Sequence, residues 1–228
     1  MQDSTLRALV DLRDKQIQKA RIQFGNRLGA IERQDDNGTD KQQQIVERWL
    51  NRFSQLESEL DQDIEAAAGE YRIYPYVTEI KGIGPLLAAK LIAMIDIERA
   101  STPSALWKYA GYAVDKNGER DRLHKGEKSE FNIRLKTTCY LIGASMLRCN
   151  SPYRRVYDAA KERYQATRPD WNKARIDMAS RRKMIKVFLV HLWLVWRELE
   201  GLPTRSPYVQ EHMGHTHIIQ PEEMGWRK

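Results

Sequence analysis

Two cysteines, Cys139 and Cys149, are all that this 228-residue chain contains. They stand ten residues apart with no CxxC pair, which argues against a disulfide framework and against a cysteine zinc site. P-loop, nucleophile-elbow and HExxH patterns are also missing, so the chemistries those motifs organise have no carrier of that kind here. Long apolar runs are missing too. The most apolar stretch, MIKVFLVHLWLVW at 184–196, is too short and too closely flanked by Arg and Lys to span a bilayer, and it reads as a buried core helix. The opening residues, MQDSTLRALVDLRDK, are too polar for a signal peptide, so the expected location is cytoplasmic. Repeats of fixed period are not visible.

Charge is what the chain has in quantity, and it is unevenly spread. The formal net charge is +7, yet residues 1–70 carry 10 Lys/Arg against 14 Asp/Glu, and the remainder carries 28 against 17. A basic half joined to an acidic half points to a polyanionic partner for the basic half.

Periodicity predicts an all-α protein. From 5 to 33 the apolar residues Leu6, Val10, Ile17, Phe24, Leu28 and Ile31 repeat at helical spacing. QDDNGTD at 34–40 breaks the pattern, and Thr39 or Asp40 can cap a second helix with Ile45, Trp49, Phe53, Leu56, Leu60 and Ile64 on one stripe. These two helices are expected to form an antiparallel, coiled-coil-like hairpin over 1–70, whose thin core can be covered by a second copy, the favoured reading, or by the rest of the chain. Pro75 disfavours helix at Tyr74. A compact helical domain over 71–203 follows, and 204–228 is an irregular His-rich tail. Ser101 or Thr102 caps a helix opened by Pro103, and Phe131 to Cys149 carries Ile133, Leu135, Leu141 and Met146 as its apolar positions. Trp107, Trp193 and Trp196 are expected in the core.

Within the second domain, EIKGIGPLLAAKLIAMI sets Gly82-Ile83-Gly84 between two apolar helical patterns. Ile83 is expected to pack inward and pin the turn, while the glycines leave the amides bare. Exposed amides at the start of the second helix, aided by its dipole, form a site for a phosphate oxygen, with Lys81 and Lys90 adding charge. Val77 and Ile80 before the turn, and Pro85, Leu87, Ala88, Leu91 and Ile92 after it, complete a helix-hairpin-helix pattern. Ala88 and Ala89 are small enough to let the helices close.

The order EIKGIGPLLAAKLIAMI, TPSALWKYAGY, FNIRLKTTCYLIGASML, SPYRRVYDAAKERY and ARIDMASRRKMIKVFLVHLW, over about 73–199, resembles the C-terminal domain of the DEDD insertion-sequence transposases. Those are bridge-RNA-guided recombinases with a RuvC-like domain, a helical linker and a helix-hairpin-helix-bearing C-terminal domain. The preceding hairpin resembles their coiled-coil linker. Two departures bear on activity. The RuvC-like domain with its metal-binding acidic residues would precede the hairpin, where this sequence begins. The serine nucleophile that the resemblance implies shortly after Ala110-Gly111-Tyr112 is replaced by Asp115-Lys116-Asn117-Gly118. Ser129 lies about a dozen residues too late and reads as a helix cap. A serine recombinase needs that hydroxyl for its covalent intermediate, so the expectation is a protein without catalytic residues.

What the resemblance leaves is a DNA-binding scaffold. Its expected contacts are Lys81, Gly82, Ile83, Gly84, Lys90, Lys116, Arg120, Arg122, Lys125, Lys128, Arg134, Arg154, Arg155, Arg181 and Arg182. Tyr153 and Tyr157 can stack on a splayed base or pack between helices, and packing is the favoured reading. His212, His215 and His217 have ligand chemistry but match no standard zinc framework, so no metal and no cofactor is expected. The tail is read instead as a docking segment anchored by Trp226. The expected function is largely sequence-independent binding of duplex or branched DNA by a transposase-derived accessory factor of a mobile element or phage. Two alternatives remain open. One is a recombinase or nuclease subunit working with a RuvC-like partner, or through Asp115 and Asp121 with a metal. The other is an RNA-binding subunit of a guide-RNA complex.

Overall fold

The structure is a computed structural model of the chain, and it describes residues 4–33, 39–114, 126, 128–204 and 219–226. It is helical, with no β-strand among the described residues, and none of those helices is long and apolar enough to cross a membrane. The chain divides into two compact units, Gln2–Glu70 and Tyr71–Lys228.

The first unit is a helical hairpin. Its outgoing arm runs through α1 (Ser4–Leu12), a π-helical turn (Arg13–Ile17) and α2 (Gln18–Glu32), and α3 (Asp40–Gly69) returns against it. Thr39 caps α3 in a reciprocal capping box: its hydroxyl accepts from the Gln42 amide, and the Gln42 side chain accepts from the Thr39 amide. The π turn, which apolar periodicity does not reveal, buries Arg13. Arg13 donates to both carboxylate oxygens of Asp61 at 2.7 and 3.3 Å and lies 2.7 Å from Glu57, which Arg21 also contacts. The apolar stripe expected along α3 is only partly buried, since Leu60 and Ile64 are buried while Ile45, Trp49 and Leu56 are exposed.

The second unit is built around α9 (Lys173–Leu199), whose Met184, Ile185, Phe188, Leu189, Leu192, Trp193 and Trp196 are buried. Helices α6 (Pro103–Tyr109), α7 (Ile133–Arg148) and α8 (Arg154–Thr167) pack on it, and α5 (Pro85–Met94) packs on α7 and on the short α4 (Tyr74–Thr78). Gly143 lets α7 approach closely, because a Cβ there would come within 3.0 Å of Ile185 Cδ1. Buried Arg197 donates to the carbonyls of Ile97, Ala100 and Pro203, and Trp193 Nε1 donates to Ala100. Those bonds satisfy backbone carbonyls in the loop between α5 and α6 and, at Pro203, just after α9.

Several local expectations change. The break near Pro75 falls before it, and Tyr74 itself opens α4, because proline is accommodated in a first turn where no amide donor is required. The cap of α7 is Asn132, which accepts from the Leu135 amide, while Ser129 bonds to the backbone of Phe131. Ile133 and Leu141 face solvent, and the buried side of α7 is Leu135, Thr138, Cys139, Ile142 and Met146. Thr102 rather than Ser101 caps α6. Trp193 and Trp196 are core, whereas Trp107 is half-buried beneath Lys186, whose Nζ lies 3.9 Å from the ring centroid.

Candidate nucleic-acid interface

The two glycines of Gly82-Ile83-Gly84 are held in different ways. Gly82 has φ +100°, and a Cβ there would lie 2.9 Å from Met146 Cα, so this residue clamps the turn onto the end of α7. Ile83 is buried, and its amide donates to Ile80. Gly84 has ordinary extended backbone at φ −81° and ψ 170°, and a Cβ there would meet nothing within 4 Å. It is the N-cap of α5 and provides no side-chain cap. The first helical bond runs from the Ala88 amide to the Gly84 carbonyl. The amides of Gly84, Leu86 and Leu87 therefore precede the helical ladder, at the positive end of a ten-residue helix whose first residues, Gly84 and Pro85, are exposed. Val77, Ile80, Ala88, Ala89, Leu91 and Ile92 are buried behind them.

Because Gly82 sits on Met146, the turn lies beside the loop that joins α7 to α8. Asn150 ends α7 at φ +52°, and its amide donates to Leu147 while the Ser151 amide donates to Met146. This is a Schellman closure, which satisfies helix-end carbonyls. Lys81, Asn150, Ser151, Arg154, Arg155 and Asp158 line an open cleft of about 490 Å³ at this junction. Lys81 is exposed and makes no ion pair with a described residue. Arg154 lies 3.4 Å from Asp158 and donates to Leu147 O, and Arg155 pairs with Glu223 at 3.0 Å.

The other expected contacts scatter. Lys90 and Arg134 are half-buried, and Lys128 is exposed. Arg181 is held by Asp177 at 2.8 Å. Arg182 donates to the carbonyls of Gly111 and Ala113 and lies over the Tyr112 ring, so it braces that turn. Lys116, Arg120, Arg122, Lys125, Asp115, Asp121, His212, His215 and His217 lie outside the described residues. Among the described residues no group of three or more His, Cys, Asp or Glu side chains is placed to hold a metal ion.

Tyr153 and Tyr157 pack between helices rather than waiting for a base. Tyr157 is buried and donates to Asp177 at 2.6 Å; burial and then that carboxylate push its phenol up to about 12. Tyr153 is wholly buried, donates to His191 Nδ1 at 2.6 Å and accepts from Trp226 Nε1 at 2.7 Å, while His191 Nε2 donates to Ile219 O at 2.9 Å. Burial lowers the His191 pKa to about 4, against smaller opposing effects of the Ile219 bond and of Glu222 and Glu223. Trp226 is thus an anchor within its own unit. Burial also pushes the Cys139 thiol up to about 12, which leaves it unreactive.

Ser151 and Lys186 were not legible as special. In the sequence Ser151, with Pro152, reads as the opening of a helix, yet it is 2 % exposed with an Oγ that has no partner among the described residues. Burial, then the charges of Arg182 and Lys183, lower the Lys186 pKa to about 8. For Lys186 the two charges are local to α9, but its burial against Trp107 depends on a residue distant in sequence.

No curated protein matches the chain. Residues 74–158, which contain the turn, α5, α7 and the start of α8, match the sequence model of the Transposase IS116/IS110/IS902 family, and this match supports a transposase-related domain in that part of the chain.

Proposed function

We propose that the protein grips duplex DNA by its phosphates, with little sequence preference, as an accessory or architectural factor of a mobile element. The observation that carries this reading is the exposed start of α5, which has no side-chain cap, beside Lys81, which makes no ion pair with a described residue. In this reading α4, the Gly-Ile-Gly turn and α5 act as a helix-hairpin-helix, with bare amides and the helix dipole receiving one phosphate oxygen. Such a contact positions the protein on the duplex without reading bases. The transposase-related match supports a mobile-element setting. Residues 113–128 contain no serine or threonine, which supports a binding role over strand transfer through a serine. Ile45, Trp49 and Leu56, exposed at spacings that share one face of α3, favour self-association of the hairpin, so that two basic units hold two duplexes.

The test is a salt-titrated competition among duplex, single-stranded and branched DNA and structured RNA, with wild type and Gly84→Asp. An aspartate at this N-cap should leave the fold intact or stabilise it by roughly a few tenths of a kcal/mol. It also places a carboxylate where the phosphate would sit, so duplex affinity should fall about tenfold, worth about 1.4 kcal/mol. Unchanged affinity would remove the turn from the interface. Preference for RNA would favour the guide-RNA reading, and metal-dependent nicking lost on changing Asp115 and Asp121 would favour a nuclease subunit. Sedimentation showing a monomer at every concentration would rule out the bridging dimer.

A further inference from the structure

The cleft beside the turn is more than a gap between helices. Ser151 lines it, is 2 % exposed and keeps a hydroxyl without a partner among the described residues. A buried hydroxyl left unbonded is disfavoured relative to one that has a partner. Its surroundings favour an anion as that partner. Lys81, Arg154 and Arg155 line the same cleft against one carboxylate, Asp158. The helix-end carbonyls that would repel an anion are occupied: Ser145 O by the Cys149 amide, Met146 O by the Ser151 amide, and Leu147 O by the Asn150 amide and Arg154. Among these Lys81 makes no ion pair with a described residue, and the packing of Gly82 on Met146 fixes the chain next to it.

We infer that this cleft is a phosphate-binding pocket in which the Ser151 hydroxyl donates to a phosphodiester oxygen and Lys81 and Arg154 supply the charge, giving a second backbone contact beside the start of α5. The inference rests on the DNA reading above for the source of the phosphate, though not for the pocket itself. Arg154 is then shared between Asp158 and the ligand, and Arg155 stays with Glu223 at the rim.

Two readouts separate the pocket from the DNA reading. In the first, inorganic phosphate is titrated into the full chain at constant ionic strength against chloride, and backbone amide resonances are followed. Saturable shifts at Lys81, Asn150 and Ser151 are expected, absent in Ser151→Ala and weakened in Lys81→Gln. Ser151→Ala removes a buried hydroxyl that bonds to no described residue, so its thermal midpoint should match or exceed that of wild type, whereas a structural role for the serine would lower it. In the second readout, duplex affinity should fall about tenfold in Ser151→Ala, and the slope of log K against log salt should become shallower by about one in Lys81→Gln. Absence of saturable phosphate shifts, or phosphate and DNA binding unaltered in both variants, overturns the pocket. Phosphate shifts without duplex affinity keep the pocket and sink the DNA reading.

Discussion

The two units handle the same problem, burying an apolar stripe, with different success. In the hairpin, Leu60 and Ile64 are 6 % and 0 % exposed, but Ile45, Trp49 and Leu56, spaced along the same helix, are 41 %, 39 % and 40 % exposed. In the compact unit, α9 is packed by α6, α7 and α8, and Phe188, Leu192 and Trp193 are fully buried. Two helices can cover only one side of each other, whereas a helix flanked by three others is enclosed. In the hairpin an ion network of Arg13, Glu57 and Asp61 adds to the apolar contacts between the arms. The compact unit relies on close approach, through Gly82 and Gly143.

The largest effect expected from this contrast is at Gly82. Gly82→Val forces a β-branched residue into positive φ and against the Met146 backbone, and should cost about 4 kcal/mol of the compact unit's stability in urea. Gly84→Val, with open space at its Cβ, should cost only about 1 kcal/mol, the loss of a favourable N-cap residue. Equal effects at the two positions would break the distinction between a packing glycine and a site glycine.

Acid sharpens the comparison next. The folded His191 pKa lies near 4, below the ordinary 6.5 of the unfolded chain, so the unfolded state binds the proton first. Stability is fully present above about pH 6.5 and declines as pH falls toward 4, by about 3 kcal/mol. Protonation would also leave the Tyr153 hydroxyl without its acceptor. Residues 1–70 contain no histidine, so this loss belongs to the compact unit. Unfolding measured between pH 4 and 7 should lose this slope in His191→Gln, and a slope that persists would assign it to other groups.

A smaller effect is expected in the hairpin. Glu57→Ala leaves Arg13 with Asp61 and Asp14 alone, and should destabilise the hairpin by about 2–3 kcal/mol, less than removal of a lone buried partner. Helical content and melting of the hairpin would report it. An unchanged midpoint would mean that the ion network is dispensable and that apolar contact alone sets the register.

Much of the helical order was readable because each cue is local. Thr39 with Gln42, Thr102 with Pro103, and Asn-Gly or Gly-Pro breaks act over three or four residues. The faces of the helices were read less well. Ile133 and Leu141 fit a helical stripe on α7 as well as Leu135 and Met146 do, and which side is buried depends on where α5 and α9 lie. The π turn at Arg13–Ile17 left no periodic signal either, because its residues, RDKQI, are polar except for Ile17 and so offer no apolar stripe in which the inserted residue would show. At the candidate site, the Gly-Ile-Gly turn and its basic neighbours were visible in the sequence, but the division of labour between the two glycines was not.

The sequence by itself determined an all-helical protein with an acidic hairpin, a basic domain and a glycine turn flanked by lysine, since propensity, capping and charge are properties of short segments. Only the tertiary structure decided that Gly82 is a packing residue, that Arg182 braces a backbone turn, that Tyr153 belongs to a buried network, and that Ser151 lies in a basic cleft. Each of those roles is set by an atom far away along the chain, and a distance of a few ångströms across such a separation exists only once the helices have packed.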